Sequence, residues 1–157
     1  MSITNQRKRG KAAGPPFVGA MLRLCWQHVR EHIFDAVKHA GFADLQEAHF
    51  AVFSYPLPDG VRPSDLARQM RVSRQAANYL LGQLEDLGYV ERRAESDGER
   101  RLVYLTDRGW RVGEVIYTSL RELQGRWRKE VGGQRFDAFM EVLGELTWQA
   151  QAAGPTP

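Results

Sequence analysis

The sequence predicts a mainly α-helical chain interrupted once by a small β-hairpin. Three observations carry that reading. Long stretches toward both ends repeat apolar residues at three- and four-residue steps, the period of a helix with one buried face. Between them, two shorter segments of the same period meet at a tight turn, Arg71-Val72. Beyond the second of these, β-branched and aromatic residues flank Asp97-Gly98, a strong short-range hairpin signal.

Taken in order, residues 1–16 are polar and basic and are broken by Gly10, Gly14, Pro15 and Pro16, which predicts a disordered arm. Such an arm suits either the phosphates and minor groove of DNA or plain solvation, and composition alone favours solvation. From Phe17 to about Ala40, residues Val18, Met21, Leu22, Cys25, Val29, Ile33 and Ala36 keep helical spacing, and Gly41 stops the run. Asp44, with Glu47 three residues on, reads as a capping box for a short second helix through Phe50, Ala51, Val52 and Phe53, ended by Pro56 and Pro58.

A third helix opens at Pro63, whose missing N–H and fixed φ suit a first helical turn, with Leu66, Ala67 and Met70 on its apolar face. Ser73 is placed to cap a fourth helix that runs to about Leu87 and closes at Gly88. Along it Ala77, Leu80, Leu81, Leu84 and Leu87 form one face, while Arg74, Gln75, Asn78, Tyr79 and Gln83 form the other. The hairpin strands fall near Tyr89–Arg93 and Arg100–Leu105. Thr106 caps a long fifth helix stepping through Trp110, Gly113, Ile116, Tyr117, Leu120, Leu123, Trp127 and Val131. Gly132-Gly133 breaks it, and a last helix carries Phe136, Phe139, Leu143, Leu146 and Ala150. Two short helices joined by a turn and backed by a hairpin make a winged helix-turn-helix, whose second helix can enter the major groove of DNA.

The run Ser64-Asp65-Leu66-Ala67, Val72-Ser73-Arg74, Leu84-Glu85-Asp86-Leu87-Gly88-Tyr89-Val90-Glu91-Arg92 and Leu105-Thr106-Asp107-Arg108-Gly109 resembles the MarR family of winged-helix transcriptional regulators. The resemblance spans roughly residues 17–150. It implies one domain over 17–153, with a winged-helix DNA-binding part at about 45–106 and dimerisation helices at about 17–41 and 106–153. It also implies a homodimer, more often a repressor than an activator, on a pseudo-palindromic operator.

For the reading head, Gln75 and Asn78 suit adenine N6 and N7, Arg74 suits guanine O6 and N7, and Ser73 at the helix start suits a phosphate. Tyr79 shares that face, but Ala76 and Tyr79 stand where relatives often have Thr and Arg, so their base code does not transfer. Arg62, at a position where many relatives cap with Thr, and Arg68 are phosphate candidates. MarR-like wings commonly carry Asp-x-Arg at the tip; here the match is Asp97-Gly98-Glu99, which moves the groove-entering role to Arg100, with Arg101 beside it. Arg92 suits either DNA or a bond to Asp97.

MarR-like proteins often bind an aromatic effector between the first, second and fifth helices. Trp26, His28, His32, Phe53, Tyr55, Trp110 and Arg111 are the residues this resemblance nominates, with core or dimer packing as the alternative for each.

Composition limits the rest. Hydrophobic residues at 43% of 157 fit a globular domain, and the absence of an apolar run of about 20 residues argues against a membrane span and for the cytoplasm. Arg7, Lys8, Arg9 and Lys11 account for more than the whole net charge of +3, leaving 18 basic against 19 acidic residues elsewhere. DNA binding therefore rests on where charges sit. Some MarR relatives sense peroxide through a cysteine in the first helix, but Cys25 lies on the apolar stripe and reads better as a small core hydrophobe than as a thiol sensor. His28 and His32 share a helix face without a third ligand, so no metal or other cofactor is expected. No nucleophile–base pair or phosphate-cradling loop marks an enzyme. A winged helix that binds a protein instead of DNA is the main rival.

Overall fold

The computed structural model describes residues 17–54, 60–94 and 101–152. The expected basic arm, Tyr55 and the hairpin tip with Asp97 and Arg100 lie outside the described residues. Helix α1, Val18–His39, stops where Gly41 takes φ +94°. A 3-10 turn, Glu47–His49, runs directly into α2, Phe50–Phe53. The helix-turn-helix consists of α3, Pro63–Met70, and α4, Arg74–Asp86. Strands β1, Val90–Ala94, and β2, Arg101–Leu105, pair antiparallel with Val90 opposite Leu105 and Arg92 opposite Val103. Helices α5, Asp107–Val131, and α6, Gly133–Ala152, follow, parted by Gly132 at φ +90°.

Most helix ends obey the local signals. Ser73 Oγ accepts the Ala76 N–H at 3.1 Å, and Thr106 Oγ1 accepts the Gly109 N–H at 3.2 Å. Helix α4 closes with Gly88 donating to the Glu85 carbonyl (3.0 Å) and Tyr89 to that of Leu84 (2.8 Å), the paired bonds of a Schellman end, with Gly88 at φ +76°. The turn between α3 and α4 is less ordinary: Arg71 sits in the left-handed region (φ 54°, ψ 43°), a conformation that costs a non-glycine residue about 1 kcal/mol.

The expected Asp44–Glu47 capping box does not form. Gln46 begins the turn, and His49 Nδ1 accepts the Gln46 backbone N–H at 3.1 Å. Asp44 is held instead by Tyr89 and Arg108, and Glu47 by Arg30 of α1. Val61, just before α3, joins the sheet as well. It bridges Val103 on the free edge of β2 through N–H···O bonds of 3.0 and 2.9 Å.

Ile33 and Val37 of α1, Leu45, Val52, Leu66, Leu81, Leu84, Tyr89, Val90, Val103, Leu105 and Val112 form one buried cluster. The stripe read for α5 proves to be two faces. Gly109, Val112, Ser119 and Leu123 are buried, whereas Trp110, Tyr117, Leu120 and Val131 stay exposed. Gly109 and Ser119 carry no hydrophobic signal, yet they allow close approach: a Cβ on Gly109 would stand 2.1 Å from the Tyr89 carbonyl oxygen.

That approach belongs to a knot of three segments. The Tyr89 hydroxyl, on a side chain with no solvent exposure, donates to Asp44 Oδ1 at 2.5 Å. Arg108 donates to Asp44 Oδ2 (2.8 Å) and to the Leu87 carbonyl (3.0 Å), with its guanidinium 4.4 Å from the Tyr89 ring centroid. Thr106 donates to the carbonyls of Gly88 (2.6 Å) and Tyr89 (3.1 Å). The Tyr89 bond, then the Arg108 charge, hold the Asp44 carboxyl below its ordinary 3.8; burial, then the Asp44 carboxylate, push the Tyr89 phenol from 10.0 up to about 12.

Two outcomes follow for stability. Gly109→Ala is expected to destabilise the fold by about 2–3 kcal/mol in denaturant melts, because a backbone oxygen occupies the Cβ position. The depressed Asp44 value contributes stability that is present above pH 3.8 and lost as pH falls through the folded value; the raised Tyr89 value contributes stability present below pH 10.0 and lost toward about 12. Tyr89→Phe should cost about 1–2 kcal/mol at pH 7, remove the alkaline limb and weaken the acid limb, read from melts across pH. A variant with the wild-type pH profile would show that the hydroxyl bond contributes nothing.

Candidate nucleic-acid interface

Helix α4 buries Ala77, Leu81 and Leu84 against the core and leaves Arg74, Gln75, Asn78 and Tyr79 exposed. The face read from periodicity is thus the solvent face, and Tyr79 is its most prominent aromatic, 66% exposed. Four arginines lie along the helix-turn-helix. Arg62 takes the N-cap position of α3 without a side-chain bond to the helix, Arg68 pairs with Asp65 at 3.3 Å, and Arg71 and Arg74 flank the turn; all four are exposed. Arg71 was not among the sequence candidates, since a turn residue adds nothing to a periodic pattern.

In the hairpin, Arg101 is exposed at the start of β2. Arg92, read as a DNA or Asp97 partner, pairs through Nε with Glu85 Oε2 of α4 at 3.4 Å and is half-buried. Arg93 pairs with Glu91 and lies 4.8 Å from the Tyr104 ring centroid. Both cations of β1 are therefore matched by carboxylates within the protein.

The six effector candidates among the described residues do not converge. Trp26 lines a cavity of about 430 Å³ between α1 and the turn into α2, with Arg30, Ile33, Glu47, Ala48 and Phe50. His28 faces Trp127, their ring centroids 6.0 Å apart. His32 donates from Nε2 to the Ser119 carbonyl (3.0 Å) and accepts at Nδ1 from Arg126 (3.3 Å), so both its nitrogens are spent tying α1 to α5. Phe53 packs edge-on against Tyr89 at 6.2 Å in the core. Trp110 faces a polar recess with Glu91, Arg93 and Tyr104, and Arg111 lies beside Ala36 and Glu122 in another. Arg30 was missed, since its pairing with Glu47 spans two elements.

Cys25 also departs from its expected place in the core. It is exposed within the protomer, on the wall of an apolar groove of about 530 Å³ with Leu22, Leu123, Trp127 and Phe136. Phe17, Met21 and Leu24 of the α1 region and Phe139, Leu146 and Trp148 of α6 are exposed as well. Among the described residues no helix is long and apolar enough to cross a membrane.

A helix-turn-helix with a pendant hairpin, carried on long flanking helices, defines the class: a winged helix-turn-helix. Residues 46–102 match the model of the MarR family. The MarR family protein Rv2887 of Mycobacterium tuberculosis, solved with salicylic acid, is 26% identical, with 87% of this chain and 99% of that chain covered and a TM-score of 0.64. MepR of Staphylococcus aureus, a regulator of the multidrug efflux pump MepA, is 14% identical over 86% and 99% of the two chains at a TM-score of 0.64. Regulator Tm0710 of Thermotoga maritima is 17% identical over 88% and 97%, at 0.62. No curated protein matches the sequence. The chain carries the MarR signature over its winged helix and the fold of MarR-family transcription regulators over more than four fifths of its length.

Proposed function

We propose that this protein is a sequence-specific DNA-binding transcriptional regulator, acting as a cytoplasmic homodimer and as a repressor relieved by a small aromatic effector. The observation that carries the reading is α4, a capped helix whose inner face is locked into the core and whose outer face offers Arg74, Gln75, Asn78 and Tyr79. Amide and guanidinium groups so displayed match the donor and acceptor pattern of the major groove. Arg62, Arg68, Arg71 and Arg101 supply phosphate contacts that set register without reading sequence.

The exposed apolar side chains of α1, α5 and α6 support a second copy as the partner. A two-fold dimer calls for a pseudo-palindromic operator with half-sites about one helical turn apart. For the effector, the cavity beside Trp26 combines an aromatic wall with a guanidinium, Arg30, which suits a small aromatic acid of the kind bound to Rv2887. Such a ligand competes with Glu47 for Arg30 and bears on α1 and the reading head together. It relieves repression only by binding two head arrangements with different affinities.

A protein-binding winged helix is the second reading, favoured by the neutralised cations of β1. Salt separates the two. Purified protein should bind its own upstream DNA over a scrambled duplex, with affinity falling steeply from low to physiological salt as counterions are released. Asn78→Ala should reduce discrimination at one position of each half-site by about 1–3 kcal/mol while leaving the dimer intact. Arg101→Ala should weaken all sequences alike. Unselective, salt-insensitive binding by the wild type would leave the protein-binding module as the reading.

A further inference from the structure

One buried polar group, already seen to cap the 3-10 turn through one ring nitrogen, has a second nitrogen that no assignment above uses. His49, 2% exposed, stands in the 3-10 turn where that turn packs on α4. Its Nδ1 faces the Gln46 backbone N–H at 3.1 Å, a permanent donor, so Nδ1 is the acceptor nitrogen and the ring proton sits on Nε2. That proton points at Gln83 Oε1, 3.1 Å away on α4. With its oxygen so engaged, the Gln83 amide can turn only its NH2 group outward, and Gln83 Nε2 donates to the Tyr79 hydroxyl at 3.3 Å. Each bond sets the direction of the next, starting from a backbone group that cannot reverse.

From this geometry we infer that His49 and Gln83 are positioning residues that fix the polarity of Tyr79 on α4: the hydroxyl oxygen accepts from Gln83, and its own proton is committed outward as a donor. Resting on the DNA-reading role proposed for α4, this makes Tyr79 a selective reader of acceptors. In the major groove those are guanine O6 and N7, adenine N7 and thymine O4, and the amino groups of adenine and cytosine are disfavoured. The relay begins at Gln46, the residue before Glu47, so one 3-10 turn carries both the start of the relay and the partner of Arg30.

Gln83→Glu tests the inference sharply. A carboxylate still accepts from His49 Nε2 but has no proton to give, so the Tyr79 hydroxyl must donate inward and present its oxygen outward. Full-length wild type, Gln83→Glu and Tyr79→Phe are compared by selection from a randomised duplex library. Tyr79→Phe is expected to lose preference at one base-pair position per half-site, by about tenfold for a single charge-free donor. Gln83→Glu should change preference at that same position, toward a base presenting an amino group. Repulsion of phosphates by the new charge lowers every sequence alike and leaves the ranking at other positions intact. A ranking unchanged in both variants, or changed at different positions, overturns the relay. So does long-range 15N NMR finding His49 protonated on Nδ1, a readout that needs no DNA. A wild type that selects no sequence overturns the DNA-reading role itself, and this inference with it.

Discussion

The shared carboxylate of Asp44 is the constraint on which the arrangement depends. It brings together the loop after α1, the end of α4 and the start of α5, segments that local structure alone leaves free to swing. A buried phenol must find an acceptor, and a carboxylate with two donors satisfies both itself and Tyr89. Arg108 then closes the end of α4 through the Leu87 carbonyl while stacking on the same ring. Helix α5 can seat itself so closely only because Gly109 leaves space for the Tyr89 carbonyl. The wing and the flanking helices thus inherit their position relative to the reading helix from one polar knot rather than from the apolar core alone.

Helix α4 is fixed from beneath by two different kinds of contact. Ala77, Leu81 and Leu84 anchor it without direction, since apolar burial tolerates small rotations. The hydrogen bond from His49 to Gln83 restores a definite azimuth, because it fails when its angles change. The base-reading role proposed for this helix calls for both. The salt pair between Arg92 and Glu85 adds a third tie, this one to the hairpin, and it takes Arg92 out of the pool of free cations.

At the other end the apolar surface is only partly covered. Among the described residues of α6 only Phe136 is buried, while Phe139, Leu146 and Trp148 stand exposed, as do Leu22 and Leu24 of α1. These exposed apolar side chains are the surface on which the proposed second copy rests. The cavity beside Trp26 lies between α1 and the turn into α2, with Arg30 and Glu47 on its wall.

Most helix starts and stops, the turn before α4, the hairpin strands and the two faces of α4 were determined by the sequence alone. Each depends on contacts within a few residues: Ser73 and Thr106 cap amides three positions on, and Gly88 serves a carbonyl of the turn before it. The tertiary structure decided whatever depends on partners far apart in the chain. Asp44 looked like a cap because Glu47 follows it, but it pairs across 45 and 64 residues with Tyr89 and Arg108. Arg92 pairs back to Glu85 on α4, His32 spends both nitrogens on α5, and Cys25 falls on a groove wall instead of inside the core. The apolar stripe of α5 divides into core and exposed faces, and the small residues Gly109 and Ser119, silent in any hydrophobic pattern, fall on the buried one, Gly109 against the Tyr89 carbonyl. Periodicity reports that a face is apolar; only packing decides what covers it.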